Sequence, residues 1–199
     1  SDLIPRAVVF GSSQHDMTVA AIALGEDTHV RAGGQDAVVL KKGETTLFDN
    51  IAPGTTVDAD GPLALSLLSS SADAAIVPYG FSGRSFVLPG IGGVRTIAMT
   101  ALGDTEAHAE LRTKGATTTT LDPIEGTIVS DVVDLASSVR VEVEGDVITL
   151  LGASEGARPA PIYPATDEPL FGFSLGKTTV GFGADGSTMK AVCSSGGVK

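Results

Sequence analysis

Apolar and polar residues alternate along much of this chain. In "SVRVEVEGDVITLL", Val139, Val141 and Val143 are separated by Arg140, Glu142 and Glu144, the two-residue period that gives a strand one buried and one wet face. "AHAELR" does the same, placing Ala107, Ala109 and Leu111 on one side and His108, Glu110 and Arg112 on the other. Between such runs sit turn formers: Gly33-Gly34, Asp60-Gly61-Pro62, Gly145-Asp146 and Asp185-Gly186. Gly33-Gly34 and Gly145-Asp146 predict two-residue hairpins, because those turns need positive φ. Helical periodicity is scarce. Its best candidate, "PLALSLLSS", is short and fits a buried strand at least as well.

The pattern also repeats. "TVAAIALG" at residues 18–25 and "TIAMTALG" at 96–103 share five of eight positions, which in an alanine-rich chain decides nothing alone. Three further correspondences follow in order. "EDTHVRA" matches "DTEAHAEL" with His29 over His108. "GETTLFDNIAPGTTV" matches "GATTTTLDPIEGTIV" with Asp49 over Asp122 and Ile51 over Ile124. "LALSLLSSSADAAIVPY" matches "VRVEVEGDVITLLGAS". Collinear self-similarity of this kind indicates a repeated structural unit. Short strands punctuated by turns lead to an all-β expectation of two tandem, related antiparallel β-sandwich units, immunoglobulin-like, over residues 1–93 and 94–199, the second with an extra C-terminal hairpin.

Composition narrows the function. The net charge is −11, and without a basic stripe to meet phosphates the chain is not expected to bind nucleic acid or an anionic membrane. No run of about 18 apolar residues is present, so no membrane insertion is expected. The start at Ser1, with no hydrophobic leader, reads as a processed or trimmed chain. The single cysteine, Cys193, excludes an internal disulfide and reads as a small buried apolar residue.

Each motif that suggests chemistry fails on spacing or context. "GFSLGKTT" has three residues where a phosphate loop needs four, and a strand-like run follows where a helix must begin. "GFGADG" at 181–186 lacks the helix and the distant acidic residue of a dinucleotide site. Counting from Asp58, "DADG" reaches Ser69 where a calcium loop needs glutamate. His15, His29 and His108 lack ligand spacing. "GFSGR" is not a nucleophile elbow, and Glu142 and Glu144 read as solubilising charge on one strand face. The expectation is no enzyme, no metal and no cofactor.

One distribution remains. Of nine aromatic residues, six fall in two proline-containing connections: Tyr79, Phe81 and Phe86 in the first, Tyr163, Phe171 and Phe173 in the second. Tyr79, Phe81 and Arg84 are the candidate partner contacts, since aromatic and arginine side chains supply binding hot spots. The competing account is a satellite core packed under stiff loops, which Pro78, Pro89, Pro164 and Pro169 favour.

Residues 18–68, "VAAIALGEDTHV … VVLKKGETTLFDNIAPGTTVDADGPLALSLLS", resemble the N-terminal domain of IgGFc-binding-type proteins, and residues 96–150 carry a looser version. In composition and repeated layout the chain is also similar to a family of secreted actinobacterial envelope proteins. The resemblance implies an extracellular or cell-envelope, non-catalytic β-sandwich, a structural or adhesion module acting through a protein or cell-wall partner. The alternative is a carbohydrate-binding or accessory domain of a wall-active enzyme, which the absence of Trp weakens.

Overall fold

The structure is a computed structural model that describes residues 3–11, 16–71, 74–103, 106–114, 116–152, 159–162, 174–175 and 178–179. It is all-β and antiparallel, with one 3-10 turn at Tyr79–Phe81 and no α-helix among the described residues. In the first half the strands are β1 (Ile4–Phe10), β2 (Met17–Ala23), β3 (Thr28–Ala32), β4 (Val38–Leu40), β5 (Thr45–Phe48), β6 (Thr56–Ala59), β7 (Leu63–Ser69) and β8 (Ala75–Pro78). Next come β9 (Gly83–Leu88), β10 (Val94–Ala101), β11 (Ala109–Thr113), β12 (Ala116–Leu121), β13 (Val129–Asp134), β14 (Val139–Leu151) and β15 (Ala160–Ile162). A separate two-stranded ribbon pairs Ser174–Leu175 with Thr178–Thr179.

The first half is a sandwich-like pair of layers, β4-β3-β6-β1-β8 over β5-β2-β7. Alternation puts Val19, Ala21, Phe48, Val30, Ala32 and Val57 between them, in a core to which Leu63, Leu65 and Leu67 of β7 also pack. An immunoglobulin constant domain instead sets its first, second, fifth and fourth strands in one sheet. Here β1 pairs β6 and β8, and β2 pairs β5 and β7.

The second half follows the same pairing plan. β11 pairs β12 and β14 as β3 pairs β4 and β6, and β10 pairs β13 and β14 as β2 pairs β5 and β7. Single bonds recur as well. Leu24 N–H donates to the Pro62 carbonyl at 3.0 Å and Leu102 N–H to that of Asp146 at 2.9 Å, while Asp60 and Glu144 donate to the carbonyls of His29 and His108. The strands that carry "TVAAIALG" and "TIAMTALG" thus have matching hydrogen-bond neighbours, and His29 and His108 accept the corresponding backbone bonds. β9 falls before the expected boundary at residue 93, yet its hydrogen bonds go to β14, in the place β1 takes on β6.

Two readings of the sequence change. Gly145-Asp146 is not a hairpin turn: β14 runs unbroken through it, its first part pairing β9 and β11 and its last part β10 and β15. At the matching place Pro62, which has no N–H to donate, separates β6 from β7. The later correspondences also move. Gly43 of the Lys41–Glu44 turn lies over Gly126 of the Ile124–Thr127 turn, since both turns close with the same backbone bond and enter the strand beside β2 or β10. Asp49 does not lie over Asp122, because the β11–β12 hairpin is longer than β3–β4 and displaces all that follows.

Candidate functional site

The halves meet on a second apolar layer. Val8 and Phe10 of β1 and Val77 of β8 turn away from their own core and pack on Ile148 and Leu150 of β14, with Ala98, Leu102 and Ile128 around them. This explains the continuous apolar runs "AVVF" and "VITLL": both faces of those strands are buried, so alternation disappears. At one edge of the seam the backbone of Gly54 lies so near the second half that a Cβ there would stand 2.3 Å from the Gly126 carbonyl oxygen. Gly54 has φ of +87°, so it is glycine for two reasons, conformation and space.

Tyr79 and Phe81 belong to this seam. Both are half-buried and pack on the Val8–Leu150 layer. The Tyr79 hydroxyl is buried and makes no hydrogen bond among the described residues. Burial first, then the negative charges of Glu125 and Asp58, push its phenol up to about 12. Arg84 differs. Its side chain is 68% exposed and forms a forked ion pair with Asp146, Nε to Oδ1 at 2.9 Å and the second nitrogen to Oδ2 at 3.3 Å. That hydrogen bond raises the guanidinium pKa and lowers the carboxyl pKa of Asp146. Phe86 is fully buried in the second core. Tyr163, Phe171 and Phe173 lie outside the described residues, as does Cys193.

Carboxylates engage both described histidines. His29 Nδ1 is 2.8 Å from Asp60 Oδ2, and its backbone N–H donates to the other oxygen. His108 Nδ1 is 2.6 Å from Asp122 Oδ1, and that hydrogen bond is the main reason its pKa rises above 6.5. These pairs pin strand ends: each partner is a carboxylate one residue beyond a neighbouring strand. Arg31 holds Asp58 at 2.8 Å, and Arg112 pairs Glu110 as Arg140 pairs Glu142 along the outer face of the second half. Among the described residues no three His, Cys, Asp or Glu converge as a metal site would require, and no helix is long and apolar enough to cross a membrane.

The chain matches no family model, no curated protein and no solved structure.

The most unusual surface is the outer face of β5-β2-β7. Leu47 is 56% exposed, Leu68 54%, Leu24 51% and Ile22 38%. Register joins them: Ala20 lies between Leu47 and Ser66, Ile22 between Thr45 and Ala64, and Thr18 beside Leu68. Four large aliphatic side chains thus share one solvent-facing sheet surface, with the carboxylate of Asp49 at its margin, where Thr18 Oγ1 donates to Oδ1 at 2.7 Å. In the second half the matching surface carries Ala98, Ile148 and Leu150 and lies under the seam. Sequence reasoning missed this face. The signal was "LALSLLS", a strand without charge on either side, which looked wholly buried but has only Leu63, Leu65 and Leu67 turned inward.

Beside it, between β7 and β8, opens an apolar groove of about 390 Å3, lined by Leu63, Leu65, Ile76, Pro78, Pro62 and Ala7 with Arg6.

Proposed function

We propose that this protein is a non-catalytic β-sandwich module of the extracellular space or cell envelope that works by contact with a protein or cell-wall partner. The contact surface in this reading is the outer face of β5-β2-β7. The exposure of Ile22, Leu24, Leu47 and Leu68 on one face supports it, because scattered apolar residues are ordinary on a surface and a contiguous patch marks an interaction site. Of Tyr79, Phe81 and Arg84, only Arg84 offers its side chain to a partner, and its exchange with Asp146 for a carboxylate on that partner is the secondary contact. A glycan-binding role has less support, since all five described aromatic rings, Phe10, Phe48, Tyr79, Phe81 and Phe86, are buried or half-buried, whereas sugars stack on exposed rings.

The test is co-sedimentation of the purified chain with native envelope fractions, comparing it with the Ile22→Lys/Leu47→Lys variant. Both positions face solvent, so the variant folds. Loss of co-sedimentation is expected, and retention equal to the parent chain rejects the face as the contact. A glycan-array signal that survives both substitutions moves the function to the carbohydrate alternative.

A further inference from the structure

β7 ends its sheet: it pairs β2 and has no second neighbour among the described strands. Its counterpart does. The last part of β14 lies between β10 and β15, with Thr149 opposite Ile162 and Leu151 opposite Ala160. In the first half the corresponding final strand, β8, pairs β1 instead, so no described strand covers the β7 edge above the groove.

Proteins normally guard such an edge with lysine, proline, a bulge or a very short strand. β7 uses none of these. "LALSLLS" is seven residues long, without charge or proline, and pairs β2 in unbroken register from Leu63 to Ser69. It is also self-complementary. An antiparallel pair centred on Ser66 sets Leu65 against Leu67 and Ala64 against Leu68 of the other strand, so inward residues meet inward and outward meet outward, as a sheet requires.

Charge selects the partner's orientation. A head-to-tail stack of copies, repeating the internal seam, would need a free apolar face like that of Val8, Phe10 and Val77. In each chain that face is already spent on its own second half, and the corresponding face of the second half carries Arg140, Glu142, Glu110 and Arg112. Between molecules of net charge −11, a neutral strand is the place where two copies approach with least repulsion, and a two-fold contact of one patch with itself closes at a dimer.

We propose that a second copy of this chain adds to β7, antiparallel, with the two Ser66 residues facing each other across a two-fold axis. The dimer joins two three-stranded layers into one six-stranded sheet and doubles its aliphatic outer face. It stands independently of what that face binds.

Sedimentation equilibrium of the full chain from low micromolar to near-millimolar concentration should show a monomer–dimer equilibrium. Ser66→Lys should weaken the dimer about tenfold or more, because it sets like charges directly opposite each other. Ser66 is exposed on a strand in the monomer, and unchanged circular dichroism establishes that the variant folds. In a Cys193→Ser background, Ser66→Cys should form a disulfide-linked dimer on mild oxidation, whereas Leu47→Cys, on the opposite edge strand β5, should not. A monomer at every concentration overturns the proposal, including one whose β7 amides are protected from hydrogen exchange by another segment of the same chain. So does a dimer that Leu47→Cys captures and Ser66→Cys does not.

Discussion

Leu150 and Ser66 hold the same place in the two halves, one at 3% exposure under the seam and the other in water. The hydrogen-bond plan around them is shared, so backbone pairing does not decide which layer becomes an interface. The outward side chains do. Ile148 and Leu150 on β14 invite a covering sheet, while Ala64 and Ser66 at the matching positions of β7 leave the surface lower and uneven, with Leu47 and Leu68 displaced towards its margins. One framework thus presents an interior face in one half and a solvent-exposed face in the other through its outward side chains.

The sharpest way to break this comparison is to cut a leucine from each layer. Leu150→Ala removes a side chain packed on Val8 and Phe10 and should cost about 2 to 5 kcal/mol in denaturant unfolding, whereas Leu68→Ala should stay within about 0.5 kcal/mol. Equal losses would mean that the first half's face is covered too. A smaller effect concerns the glycines at the layer crossing. A Cβ on Gly61 would stand 2.7 Å from Thr28 Oγ1, and one on Gly145 3.1 Å from the Ala107 Cβ, so each alanine substitution should cost about 1 to 3 kcal/mol by overpacking. Thr28→Ala gives the first half the second half's pair and should recover much of the Gly61→Ala loss; a strictly additive double mutant would show that the two sites are not equivalent.

Smaller still is the histidine contrast. His108 meets Asp122 on its own hairpin, whereas His29 meets Asp60 beyond β6. Because the His108 folded-state pKa is raised above 6.5, its ion pair contributes fully below pH 6.5, and that contribution fades as pH rises through the raised value. An NMR titration should place the His108 midpoint above 6.5 and Asp122→Asn should bring it back; no movement in the variant would remove Asp122 as the cause. The least effect is expected from Arg84→Ala. Arg84 and Asp146 are exposed and screened, so the melting temperature should not change. The Asp146 carboxyl, held below 3.8 by this partner, should titrate higher in the variant. With Arg84 present its contribution exists above that unfolded value and is lost as pH falls through the lowered one.

Sequence made the strands legible wherever one face is wet. Ala107, Ala109, Leu111, Val139, Val141 and Val143 are all inward as their spacing predicts. The first matched strings fall on β2 and β10, which have the same kind of strand on either side. Sequence misplaced the segment after them, since threonine-rich turns resemble one another in composition and only hydrogen bonding reveals the longer second hairpin. Gly145-Asp146 misled for a related reason: a glycine that lets a strand pass close to Ala107 has the same letter as one that reverses it. The seam was hidden because "AVVF" and "VITLL" are apolar on both faces, which says that they are buried and not against what. Tyr79 and Phe81 stood out as aromatics in a loop, yet only the position of the second half turns that loop into part of an interior.

The unbroken course of β14 also governs how the molecule comes apart. With one strand shared by both layers and clamped outside by β1 and β8, the second half has no joint at which one layer opens alone. The first half has such a joint at Pro62. Its three outer strands can lift as a leaf while the five-stranded sheet stays bound to the seam, so slow opening events of low free energy should concentrate in β5, β2 and β7, the strands on which the proposed contacts depend.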